Sequence, residues 1–235
     1  MRVNHDWLES EFGDPKVIAL STVRTCSLTS EGSRPLGIVW HWTAGKGDPD
    51  FAENLARSIM NYDVKKDRAA SWHVLIAKNG TIYQSAAFNV GTWHVGRPGV
   101  IGGKRWVNVN KVTVGCELEN AGELLKVANK YYCWPYYLNP DSTAITERMD
   151  PTLEIDPSRV VMLQAKFYDA FTAQQVGSAK ALLSALVKEF HWAANSCAFE
   201  HSKFDPTRKK DPGPLWATEL LPGIISEVLS TTRST

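Results

Sequence analysis

The chain has 235 residues, 43% of them hydrophobic, with 26 basic and 25 acidic side chains and a net charge of +1. That balance gives no reason to expect general nucleic-acid or membrane-surface binding, and no stretch approaches the roughly 20 apolar residues of a membrane span. Length and apolar content suit a single large domain, or a domain with an insertion, and nine tryptophans supply surface for a real core.

Residues 1–35 have mixed polarity and form an N-terminal extension of unassigned role, with the main domain expected over 36–235. The opening, MRVNHDWLESEFGD, lacks the apolar centre of a signal peptide, so the expectation is synthesis in the cytoplasm without Sec-type export. Residues 37–42, GIVWHW, are short and apolar and run into the turn-prone TAGKGDPD, which predicts a buried strand. Asp50 and Glu53 have capping-box spacing and predict a helix to about Tyr62, with Phe51, Leu55, Ile59 and Met60 inward. WHVLIAK and TIYQSAA flank Asn79-Gly80, a strong hairpin signal. Over 112–119, Val112, Val114, Cys116 and Leu118 alternate with Thr113, Gly115, Glu117 and Glu119, the pattern of a strand with one polar face.

An insertion of about 121–157 follows, in which Tyr131, Tyr132, Trp134, Tyr136 and Tyr137 crowd together. Two readings stand: a hairpin sealing the core, or a lip that stacks on sugar rings. Thr172 and Gln175 predict the cap of a long helix whose stripe is Val176, Leu182, Leu183, Leu186, Val187 and Phe190. A last helix, broken near Pro222-Gly223, finishes the chain. The sum is an α/β fold, a central mixed sheet flanked by helices. Cys26, Cys116, Cys133 and Cys197 show no paired spacing and read as reduced thiols, Cys116 as a small buried hydrophobe.

Chemistry concentrates at two distant places. His41 ends the first predicted strand, and HSKFDPTRKKDPGP carries His201, Lys209 and Asp211. Two imidazoles and a carboxylate are the ligand set of an open catalytic zinc site, and imidazole favours zinc over magnesium or calcium. Zinc would acidify a water and polarise a carbonyl. Glu117, on the polar face of its strand, could take the proton and pass it to a leaving amine, with Glu119 on the same face in reserve; Lys209 would stabilise a developing oxyanion. His5 and His191 read as structural, His191 because it follows a helix end. His73 alternates with the apolar Val74 and is more ambiguous.

Six blocks, IVWHWTAG (38–45), SWHVLIAKNGTIYQ (71–84), GTWHVG (91–96), TVGCELEN (113–120), FTAQQVGSAKALLSALVKEF (171–190) and HSKFDPTRKKDPGP (201–214), occur in the order found in zinc-dependent N-acetylmuramoyl-L-alanine amidases, and over roughly 36–215 the chain resembles that family. The resemblance implies one Zn²⁺ per chain on His41, His201 and Asp211, with Glu117 as general base, Lys209 beside it, and His94, Trp72 and Trp93 on the substrate side. It implies a peptidoglycan or muropeptide substrate and cleavage between N-acetylmuramic acid and L-alanine by a chain expected to be monomeric. One departure is Trp72, where many relatives have a tyrosine; an indole donates a hydrogen bond but cannot exchange a proton as a phenol does. The segment after His41, WTAGKGDPD, is closer to lytic phage enzymes than to the muropeptide-recycling type, so a phage or prophage endolysin, reaching the wall after release, is the expected role. Alternatives are a cytosolic recycling amidase and a non-catalytic peptidoglycan-binding module.

Overall fold

The structure is a computed structural model that describes residues 1–20, 34–47, 50–59, 70–135, 149–193 and 196–232. In chain order its strands are β1 (Arg2–Asn4), β2 (Trp7–Glu9), β3 (Val17–Ala19), β4 (Ile38–Trp42), β5 (Val74–Ile76), β6 (Ile82–Gln84), β7 (Gly99–Ile101), β8 (Lys104–Trp106), β9 (Val114–Leu118), β10 (Glu123–Val127), β11 (Lys130–Tyr132), β12 (Glu154–Ile155), β13 (Val160–Leu163), β14 (Lys166–Asp169) and β15 (Ala198–Glu200). The helices are α1 (Phe51–Ile59), α2 (Ala173–Phe190), α3 (His201–Phe204) and α4 (Leu221–Thr232).

Six strands form the central sheet in the order β15-β4-β9-β5-β6-β3. Only β5 and β6 run antiparallel; the other neighbours are parallel, which makes the sheet mixed, as expected. The antiparallel pair is the Asn79-Gly80 hairpin: Gly80 adopts φ +83°, and the Asn79 side chain accepts from the Thr81 N–H at 2.9 Å. The first residues belong to this architecture, because β3 extends the sheet edge along β6 and the β1–β2 hairpin is fastened to the core by Leu8 N–H donating to Gln84 Oε1 at 2.7 Å.

The two faces of the sheet are distinct. Ile38, Trp40, Val74, Ile76, Val114, Cys116 and Leu118 pack against Leu182, Leu183, Leu186, Ile224 and Val228 of α2 and α4. The opposite face carries Leu75, Tyr83 and Trp72 under Ala52 and Ala56 of α1. It also presents His41 and Glu117, which lie opposite one another in the β4–β9 register.

The cap expected at the start of α2 forms. Thr172 Oγ1 accepts from the Gln175 N–H at 3.1 Å and Gln175 Oε1 accepts from the Thr172 N–H at 3.1 Å. At the other end of α2 His191 takes a left-handed conformation, closing the helix. Pro222 does not end the helix: the helical run is continuous from residue 214 to 232, and its irregularity is a wide stretch, Leu215–Leu220, immediately ahead of the proline.

The chain after β9 builds a second sheet, antiparallel throughout, in the order β12-β11-β10-β14-β13; it reaches Asp169, past the 121–157 segment. Tyr132 is buried there, whereas Trp134 is 63% exposed. Tyr136 and Tyr137 lie outside the described residues, as do Cys26, Met60 and Tyr62. Cys116, Cys133 and Cys197 are buried, and Cys116 and Cys133 are free thiols. No described helix is long and apolar enough to cross a membrane.

Candidate active site

His41 leaves the C-terminal end of β4, a central strand, so its backbone is fixed on both sides by ladders to β15 and β9. His201 follows β15 on the neighbouring strand. Asp211 comes from the loop after α3, which folds back on itself. Lys209 N–H donates to Asp205 O at 2.8 Å, Ser202 N–H donates to Asp211 O at 3.1 Å, and the Asp205 carboxylate receives Arg97 at 2.9 Å and Arg208 at 2.8 Å. The result is convergence: His41 Nδ1 and His201 Nδ1 lie 3.0 and 2.9 Å from Asp211 Oδ2, all three side chains buried.

Proton order tests whether this group suits a metal. Val109 O can only accept, so the Thr113 hydroxyl, 2.9 Å away, donates to it. Thr113 Oγ1 is then an acceptor for His94 Nε2–H at 3.3 Å, which leaves His94 Nδ1 with a lone pair to receive His41 Nε2–H at 3.2 Å. A neutral His41 in this chain has its own lone pair on Nδ1, facing a carboxylate oxygen. Burial, against the pull of Asp211, lowers the His41 pKa to about 4, so the neutral form is the one expected at neutral pH. Burial would raise Asp211, but the two imidazoles against it, His201 and then His41, hold it well below the usual carboxylate range. Neutral imidazole and ionised carboxylate are the ligating forms, and lone pairs brought face to face call for a cation between them. The residues fit a metal held by His41, His201 and Asp211, whose ligand atoms lie within 4.8 Å of one another.

Beside this group lies a cavity of about 290 Å³ lined by Trp42, Thr43, Ala44, Leu55, Ala70, Trp72, Glu117, Lys209 and Asp211. Glu117 and Lys209 are thus brought together with Asp211. Glu117 Oε2 has no hydrogen-bond partner among the described residues. Burial, and then the charge of Asp211, raise its pKa well above the usual range, against Lys209. The Lys209 ammonium stands 3.8 Å from Asp211 Oδ1 at the cavity edge.

Trp72 lines the cavity as a substrate-side residue would, its buried indole N–H unpartnered among the described residues. His94 is placed differently from its expected substrate-side position: it sits behind His41, wedged against Gly115, and does not line the cavity. Asn110 holds that loop, its side-chain oxygen accepting from the N–H groups of His94, Val95 and Gly96 at 2.7–3.2 Å. Trp93 is 40% exposed and is likewise not part of the cavity wall. His73 is structural: Nε2–H donates to Val90 O at 2.8 Å and Nδ1 accepts from the Gly115 N–H at 2.9 Å, and burial lowers its pKa to about 4. Glu119 faces a separate cavity, so within this site Glu117 alone has the position of a base. Sequence reading missed Trp42, held between Gly122 and Gly213, and the Thr113–His94 chain; the alternation that put Thr113 on Glu117's face was the available signal.

A profile of the N-acetylmuramoyl-L-alanine amidase family matches residues 31–214, most of the chain. The chain belongs to this family. Its fold is shared with solved amidases. A selenomethionine derivative of AmpD superimposes with a TM-score of 0.57 at 20% identity, covering 95% of this chain and 99% of that one. A mutant endolysin from Bacillus subtilis gives 0.51 at 18% identity, covering 91% and 99%. The E. coli amidase AmiD, solved with anhydro-N-acetylmuramic acid-L-Ala-D-γ-Glu-L-Lys, gives 0.50 at 22% identity, covering 83% of this amidase and 60% of that chain. A search of curated proteins finds no sequence match.

Proposed function

We propose that this amidase is a zinc enzyme that hydrolyses the amide between the lactyl group of N-acetylmuramic acid and L-alanine in intact cell wall, in the role of a phage or prophage lysin. One ion per chain would be held by His41, His201 and Asp211, and the working form would be the monomer. The observation that carries the chemistry is the shared cavity of Glu117, Lys209 and the ligand Asp211. A zinc ion there supplies Lewis-acid chemistry, polarising a carbonyl and acidifying water. Glu117, with an unpartnered oxygen and a raised proton affinity, takes a proton from water and delivers it to the leaving amine. Lys209 places a positive charge where oxyanion character develops. Trp72 and Leu55 wall the cavity with apolar surface.

The lytic role is supported by the sequence after His41, WTAGKGDPD, which is closer to that of the lytic phage enzymes than to that of the recycling type. The test is digestion of purified sacculi beside soluble anhydro-muropeptides, with metal content measured on the same protein. The lysin reading expects new L-alanine amino termini without new reducing sugar ends, released faster from sacculi. Faster cleavage of the soluble substrates would instead assign a recycling role, and an inactive protein that still binds wall would make it a recognition module.

A further inference from the structure

One wall of the catalytic cavity is a loop in a conformation that it would not hold unaided. Ala44 lines the cavity with Trp42 and Thr43, and its φ is +55°. A residue with a side chain is disfavoured there by roughly 5- to 30-fold against its right-handed conformation. The residues flanking Ala44 are tied back to a single buried side chain, Asp169, at the end of β14. On one side Thr43 Oγ1 accepts from the Asn120 N–H at 3.2 Å, and the Asn120 side-chain amide donates to Asp169 O at 2.9 Å. On the other side Arg159 Nη2 donates to Lys46 O at 2.9 Å and to Asp169 Oδ2 at 2.8 Å, while its Nε donates to Asp169 Oδ1 at 3.1 Å. Lys78 Nζ and the Ala121 N–H, each 2.9 Å from Oδ2, hold the carboxylate in place. Asp169 and Arg159 both belong to the β13–β14 hairpin, whose ladder continues as the Ala170 N–H donates to Arg159 O at 2.7 Å.

We propose that the second sheet is a clamp on the cavity wall, with Arg159 as its positioning residue, holding the loop Thr43–Lys46 in the left-handed shape that keeps Ala44 in that wall. The consequence for turnover rests on the amidase reading above. The clamp acts on substrate fit and leaves the chemistry alone. His41 and Glu117 are held by the ladders of the central sheet, and Lys209 and Asp211 by the loop after α3. An arginine is needed because one planar fork must satisfy a carboxylate and a backbone carbonyl together. A lysine would keep a positive charge beside Asp169, but its ammonium ends one bond short of where Nη2 meets Lys46 O.

The test compares the zinc-loaded full chain with Arg159→Lys, which spares the buried carboxylate an unpaired charge, on the substrate anhydro-N-acetylmuramic acid-L-Ala-D-γ-Glu-L-Lys. KM should rise about fivefold or more with kcat within about twofold, because a released loop holds the competent shape only part of the time. In an Ala44→Gly background the same Arg159→Lys change should raise KM only about twofold, since glycine takes either sign of φ about equally. Hydrogen exchange over Thr43–Lys46 should quicken in Arg159→Lys while β4 and β9 stay as protected as in the parent. Unchanged KM, unchanged exchange, an equal rise of KM in the Ala44→Gly background, or a loss confined to kcat overturns the clamp. A parent that does not turn over this substrate sinks the amidase reading, while the exchange comparison still decides the clamp.

Discussion

Gly115→Ala is the smallest change that should reach the metal group without touching a ligand. A Cβ at Gly115 would lie 2.6 Å from His94 Cγ and 3.0 Å from both His94 Cβ and Cδ2. Carbon atoms need about 3.5–4.0 Å, so His94 must withdraw by about 1 Å. The His41 Nε2–His94 Nδ1 hydrogen bond starts at 3.2 Å and cannot absorb that withdrawal within hydrogen-bond range. Overpacking of this size costs about 1–3 kcal/mol, and losing the partner that orients a metal-ligating histidine typically costs 10–100-fold in affinity, roughly 1.4–2.7 kcal/mol. Zinc affinity measured by chelator competition, with the melting temperature of the metal-free protein alongside, separates the two effects. In a His94→Ala background the same Gly115→Ala change should cost little stability, because the clashing ring is gone. Unchanged zinc affinity in Gly115→Ala, or a stability cost as large with His94 removed as with it present, would refute the idea that His94 is the wedge and the orienting partner.

Other consequences are as direct. His201→Ala should lose stoichiometric zinc by elemental analysis; full retention would show that the ligand set is wrong. Glu117→Ala and Lys209→Ala should keep zinc and fold but lose turnover by about 10²–10⁴-fold, read in a sacculus assay, and normal activity in Glu117→Ala would remove it as the base. Hydrogen bonds to Arg97 and Arg208 hold Asp205 below its ordinary pKa of 3.8, so its contribution is present above that pH and lost as pH falls through the lower folded value. Asp205→Asn should therefore melt earlier than the parent at pH 7, with the gap closing below pH 3.8; a gap independent of pH would rule out the charge as its source. Trp134→Ala should leave the melting temperature nearly unchanged because its side chain is largely exposed, and a large drop would restore the core reading of the aromatic segment.

What the sequence determined by itself was local. Alternation over 112–119 fixes which residues of β9 share a face, because successive side chains on a strand point to opposite sides. Asn79-Gly80 fixes a hairpin through a glycine at positive φ, and Thr172 with Gln175 fixes a helix start through hydrogen bonds three residues apart. His41, His201 and Asp211 were legible as ligand types at element ends, since strand ends and turns aim side chains individually. The tertiary structure decided who meets whom. Alternation puts Glu117 and Glu119 on one face, yet only the loop Thr43–Gly47 and α1 divide that face into two cavities and give each carboxylate its own surroundings. His94 became the partner of His41 because Gly115 has no side chain to keep the ring out, a contact between residues 53 apart in sequence. The pairing of β3 with β6, and the reach of the second sheet to Asp169, depend likewise on register between distant strands. Periodicity records which way a side chain points, whereas its partner is set by packing summed over the whole sheet.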